Sequence, residues 1–114
     1  MPSEQPTEKE LLKKILEPLL EDFQYWFSRS RSLLETKDLS FLGESEQAKL
    51  LERLVYAQQE VSTVQMMFKA TDGEAGIPAK MLVPWHRLVA ECWDVARRWR
   101  ALEMGRGDSK INLS

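Results

Sequence analysis

The sequence predicts an all-α chain folded as a three-helix antiparallel bundle with a proline-kinked first helix, and three observations carry that prediction. Three long segments repeat their apolar residues at steps of three and four. The five glycines and five prolines gather mostly between those segments or at their ends. No alternation of β-branched residues persists for five positions, so nothing reads as a strand. At 114 residues the chain can build one core but is short for an enzyme cleft with its own walls.

Thr7 with Glu10 three residues later has capping-box spacing, so the first helix starts at Thr7 or Glu8. Its stripe is Leu12, Leu16, Leu19, Phe23, Trp26, Ser30 and Leu33, widened by Ile15, Leu20, Phe27 and Leu34. Pro18 lies within it and is expected to kink the helix rather than stop it. The pattern fades after Glu35, and residues 36–45 read as a connector. A second helix, capped by Ser45, runs to Ala70 or Thr71 on the stripe Leu50, Leu54, Ala57, Val61, Val64 and Phe68. Asp72-Gly73 ends it. The third helix starts between Ala79 and Pro84 and ends near Gly105, with Trp85, Val89, Cys92, Ala96 and Trp99 as its stripe, flanked by Leu88, Val95 and Leu102. The expected layout is a flexible tail over 1–6, a bundle over 7–104 and a second flexible tail over 105–114.

Charge and composition exclude several classes of function. Hydrophobic residues at 43% and charged residues at 30% are a globular balance rather than a disordered one. A net charge of −2 offers no global field for nucleic acid. The charge is divided, however. Residues 1–40 hold six basic and eight acidic groups, residues 41–76 three and six, and residues 77–114 seven and four. The third helix is thus a basic surface on an acidic body. The longest uncharged run, Val61 to Phe68, is far short of the roughly 20 residues a membrane span needs. An acidic amino terminus without an apolar run argues against a secretion signal. One cysteine allows no internal disulfide, and a cytoplasmic location follows as the expectation.

Catalytic constellations are missing from the pattern. His86 and Cys92, the single histidine and cysteine, are six apart and point about 120° from each other on a helix, which does not make a nucleophile–base pair. Zinc would need further nitrogen or sulfur ligands, and no phosphate-binding or calcium-binding loop is present. His86 reads as a partly buried packing residue and Cys92 as an inert core residue. The expectation is no enzyme, no metal and no cofactor.

The aromatic and arginine content points elsewhere. Phe23, Tyr25, Trp26 and Phe27 cover more than half of a helix circumference and cannot all face one core. Trp93 stands at the edge of the third stripe, in line with Arg97 and Arg100, and an apolar anchor beside guanidiniums suits an acidic or carboxyl-terminated protein segment. Trp93, Arg97 and Arg100 are therefore the first candidate partner-binding residues, with Tyr25 and Phe27 the second. Two plainer readings stand beside this one. Trp93 can lie under the arginine stems as core, and arginines at a helix carboxyl end compensate its dipole.

The strings Ile-Leu-Glu-Pro-Leu-Leu-Glu-Asp-Phe-Gln-Tyr-Trp-Phe (15–27), Ala-Gln-Gln-Glu-Val (57–61) and Pro-Trp-His-Arg-Leu-Val-Ala-Glu-Cys-Trp (84–93) resemble a small cyanobacterial helical family formerly of unknown function. The resemblance covers about residues 8–102. That family is similar in turn to a carboxysome-shell assembly chaperone, which implies a cytoplasmic, non-catalytic assembly factor that binds a segment of a shell protein; no site residues come with the resemblance. Two functions follow as expectations. One is a protein-binding module of this kind, with no nucleic acid and no transmembrane segment involved. The alternative is a bundle that binds a small ligand or pigment of the photosynthetic machinery in an apolar pocket walled by tryptophans. A weaker third reading is membrane-surface attachment, for which a broad lysine-rich face is lacking.

Overall fold

The computed structural model describes residues 7–113, with side chains from Thr7 to Gly105. The tail expected over 1–6 lies outside the described residues. Three helices follow one another, α1 (Glu8–Thr36), α2 (Glu44–Ala70) and α3 (Ala79–Leu113), and the described residues contain no strand. They form an up-down-up bundle: α2 runs antiparallel to α1, and α3 returns parallel to it. The cross-links set those directions, since Gln24 reaches Ser62 while Gln47 reaches Leu34, and Phe23 meets Trp85 while Trp26 meets Trp93.

Helix boundaries follow local chemistry. The Thr7 hydroxyl accepts the Glu10 N–H at 3.1 Å, satisfying one of the unpaired amino-terminal donors. α1 continues through Pro18. Ser45 does not cap α2. The cap position is Gly43, at φ +88°, with no side-chain bond, and Glu44 and Glu46 put negative charge in the first turn instead. α2 ends as the Asp72-Gly73 pair predicts, with Gly73 at φ +86° donating its N–H to the Phe68 carbonyl at 2.7 Å. A side chain at Gly73 would also press on Lys13 at 3.2 Å. Lys13 and Lys9 of α1 pair with Asp72 and Glu74, which fastens this loop to the bundle.

α3 differs from expectation at its far end. Gly105 does not take a left-handed conformation, so it does not cap the helix, and the backbone stays helical to Leu113. Residues 101–105 are all exposed. Beyond Trp99, then, α3 leaves the bundle, and the molecule is 69 Å long but only 32 by 19 Å across.

The core is built from Leu20, Phe23, Phe27 and Leu34 of α1, the six stripe residues of α2, and Trp85, Leu88, Val89, Cys92 and Val95 of α3. Each fully buried Leu, Val or Phe contributes about 1.5–3 kcal/mol. The connector supplies one more core residue, Leu39, which is wholly buried. Gln47 holds this connector in place. Its amide donates to the Leu34 and Lys37 carbonyls at 2.8 and 2.7 Å, and its carbonyl accepts the Leu39 N–H at 3.0 Å. α1 packs closely on both other helices, whereas the α2 and α3 backbones stay farther apart. Long side chains bridge them: Arg53 grips Glu91 with two bonds of 3.0 and 2.5 Å, and the Trp85 indole N–H donates to Glu60 at 3.2 Å. Among the described residues, no helix is long and apolar enough to cross a membrane, and no group of three or more His, Cys, Asp or Glu is placed to hold a metal ion.

Candidate functional site

α1 carries two parallel apolar lines, and only one of them is core. Leu20, Phe27 and Leu34 are buried. Leu19, Trp26 and Leu33, one position earlier in each case, are only half-buried. One residue is a 100° step around a helix, so this second line turns away from α2 toward the outer edge of α3. There it meets Trp93, Ala96 and Trp99, and the two helices enclose a groove of about 550 Å³. Ser30 and Cys92 lie at its floor, and Arg29 and Arg100 stand on its rim.

The aromatic side chains are held by one another. Trp93 is 47% exposed and meets Trp26 edge to face, with ring centroids 5.4 Å apart and planes at 84°. Tyr25 also meets Trp26 edge to face, at 5.1 Å and 79°. Arg29 donates to the Tyr25 hydroxyl at 2.9 Å, and its guanidinium lies 5.7 Å from that ring. These contacts fix the rings without covering their outer faces.

The arginines divide by partner. Arg97 binds Asp94, and Arg98 shares that carboxylate at 3.8 Å while lying 4.6 Å over the Phe41 ring. Arg29 and Arg100 have no carboxylate among the described residues. Among the described residues neither guanidinium on the groove's rim has an acid of its own, a property shared by the exposed Arg87 outside the groove, and the pair leaves this edge of the bundle positive.

Among the sequence candidates, Trp93 and Arg100 come together in the groove, and Tyr25 supports it from outside. Arg97 shares their helix face, but the structure places it outside the lining, on Asp94. Phe27 requires a correction. It is completely buried and stacks on Phe23 at 6.0 Å, so it cannot present its ring to a partner. His86 is also corrected: it is exposed, not partly buried. Cys92 is buried, and burial pushes its thiol above the usual cysteine range. It stays protonated and poorly nucleophilic. The residues that sequence reading missed as site are Trp26, Arg29, Leu33 and Trp99. The available signal was the pair of adjacent seven-residue lines on α1, since one helix with two neighbours needs two faces.

A second, larger cavity of about 810 Å³ opens between α2 and α3, walled by Trp85, Leu88, Pro84 and Tyr56. Its charged groups are mostly satisfied within the fold. Arg53 is held by Glu91, Glu60 by the Trp85 N–H, and Lys49 is 3.7 Å from Glu46.

A protein-family model described as "Protein of unknown function (DUF2605)" matches residues 6–101. No curated protein and no solved structure matches the chain.

Proposed function

The chain belongs to the DUF2605 family, and we propose that it is a non-enzymatic protein-binding module whose α1–α3 groove takes an acidic, apolar-anchored segment of another protein. One observation carries this reading. Partly exposed tryptophans from two helices line a groove whose two rim arginines have no acid of their own among the described residues. Tryptophan and arginine are the residues that most often dominate protein interfaces. A segment's apolar side chain would fill the space beside Trp93, while Arg29 and Arg100 would bind its carboxylates. The narrower reading, a cytoplasmic assembly factor that binds carboxysome shell proteins in cyanobacteria, is supported by the sequence resemblance alone.

Paired captures test the groove. Wild-type protein and the Arg29→Glu/Arg100→Glu variant are used as baits, each shown to be folded by thermal melting. A protein bound by the wild type and lost with the variant supports the reading, and recovery of shell proteins in that fraction supports the narrower one. Binding partners that are identical for both baits contradict the groove as the site.

The α2–α3 cavity favours a second reading, a small-ligand or pigment binder, because it is the roomier space and an intact tryptophan forms its wall. An absorbance spectrum of the purified protein beyond the tryptophan band would support it.

A further inference from the structure

The geometry points to a second copy of this chain as an occupant of the groove, which each copy fills with the amino-terminal end of its α1. This inference rests on the reading of the groove as a protein-docking site. On α1, Glu8, Leu12, Ile15, Leu19, Asp22, Trp26, Arg29 and Leu33 follow one another at steps of four and three, so they form a single seam. Its carboxyl half is the groove wall. Its amino half lies bare, with Leu12 50% and Ile15 63% exposed. Lys9 and Lys13 are paired with Glu74 and Asp72, on the loop that Glu8 and Leu12 also border. The charge this end presents along the seam is therefore that of Glu8. One end of the seam is acidic and apolar, and the other is an aromatic groove with two arginines that lack acids.

Such a face is complementary to itself when turned by 180°. Two antiparallel α1 helices in coiled-coil register place Ile15 against Trp26, Leu12 against Arg29 and Glu8 against Leu33, in the space bordered by Arg29 and Arg100. The two-fold axis passes between residues 20 and 21. Every contact then occurs twice, as an isologous dimer requires. Both bare apolar ends become covered, and the two rim arginines of each groove share one Glu8 carboxylate. Asp22 lies close to the axis and faces Leu19 of the other copy with its own symmetry mate nearby, so it is the residue in the seam that opposes pairing.

Sedimentation equilibrium of the full chain over a wide concentration range tests this. The wild type is expected to dimerise. Ile15→Glu, at an exposed position that leaves the fold intact by circular dichroism, should weaken the dimer at least tenfold, and Asp22→Leu should tighten it. Arg29→Glu/Arg100→Glu should also weaken it, and adding Glu8→Arg to that variant should restore it. Tyr56→Glu, on the α2–α3 side, should change nothing. A wild type that stays monomeric to near-millimolar concentration overturns the dimer, as does a dimer indifferent to Ile15→Glu. The two readings fail separately. A monomer whose captured partner still depends on Trp93 loses only the dimer, whereas a partner indifferent to Trp93→Ala removes the groove reading and this one with it.

Discussion

α1 meets two neighbours, and it meets them differently. Toward α2 the seam is closed: Leu20, Phe27 and Leu34 pack on the α2 stripe, and a polar ladder covers the edge. In that ladder the Gln24 amide reaches the Gln58 carbonyl and Ser62 at 3.1 and 2.9 Å, Gln58 donates to Ser28 at 3.0 Å, and Arg31 donates to Gln58 at 3.0 Å. Toward α3 the inner part of the seam is packed through Phe23 and Trp85, but the outer part is left as tryptophan edges and guanidiniums without acids. One helix thus shows both a finished interface and an unfinished one. A finished interface stores stability, whereas the unfinished one leaves aromatic and cationic surface exposed.

Mutations should separate the two. The largest effect belongs to the closed side. Phe27→Ala is expected to cost about 3–5 kcal/mol in chemical denaturation, because a wholly buried ring leaves a cavity. Trp93→Ala should cost about 1 kcal/mol of stability, the scale of one aromatic pair, yet lower the affinity for a bound segment by about 2 kcal/mol, roughly thirtyfold. A Trp93→Ala protein as unstable as Phe27→Ala would erase the contrast.

The contrast also marks how far the sequence could be read. All six α2 stripe residues are buried, because α2 has one apolar face and its period points straight at the core. On α1 the period gave the right direction but merged two lines, so Trp26, Ser30 and Leu33 read as core when they form the groove. Choosing between adjacent lines requires knowing where two neighbours sit, and a period does not contain that. Leu39 was hidden for another reason: it lies in a connector, where no period exists. Its burial depends on Gln47, whose three bonds leave no mark in a stripe. Nor does composition show whether an arginine already has an acid, which is what separates Arg97 from Arg100.

Gln47 makes a sharper test of the closed side. Gln47→Ala should destabilise by about 1–3 kcal/mol, since it strips partners from the connector's backbone groups, and the loss should be absent from affinity measurements at the groove. The smallest expected effect is at the α2–α3 bridge. Arg53 beside Glu91 holds that carboxyl below the usual glutamate range, and the Arg53 guanidinium is shifted upward by the same pairing. A depressed carboxyl contributes stability above its unfolded pKa and loses it as pH falls through the folded value. Glu91→Gln should therefore cost about 0.2–1 kcal/mol at neutral pH, the scale of a half-exposed ion pair, and nothing once the medium is acidic enough to protonate Glu91. Thermal melts of both proteins across that acidic range check the sign. A constant difference at all pH values would show that the pair is not what Glu91 contributes.

In the proposed function a protein segment docks in the α1–α3 groove rather than in the α2–α3 cavity. Oxidative footprinting of the full chain, free and with a captured partner, reads it directly, because side-chain oxidation reports solvent access residue by residue. Binding in the α1–α3 groove should protect Trp93, Trp26 and Trp99 and leave Tyr56 in the α2–α3 cavity unchanged. Protection of Tyr56 with Trp93 oxidised as in the free protein would place the docking site in the α2–α3 cavity instead.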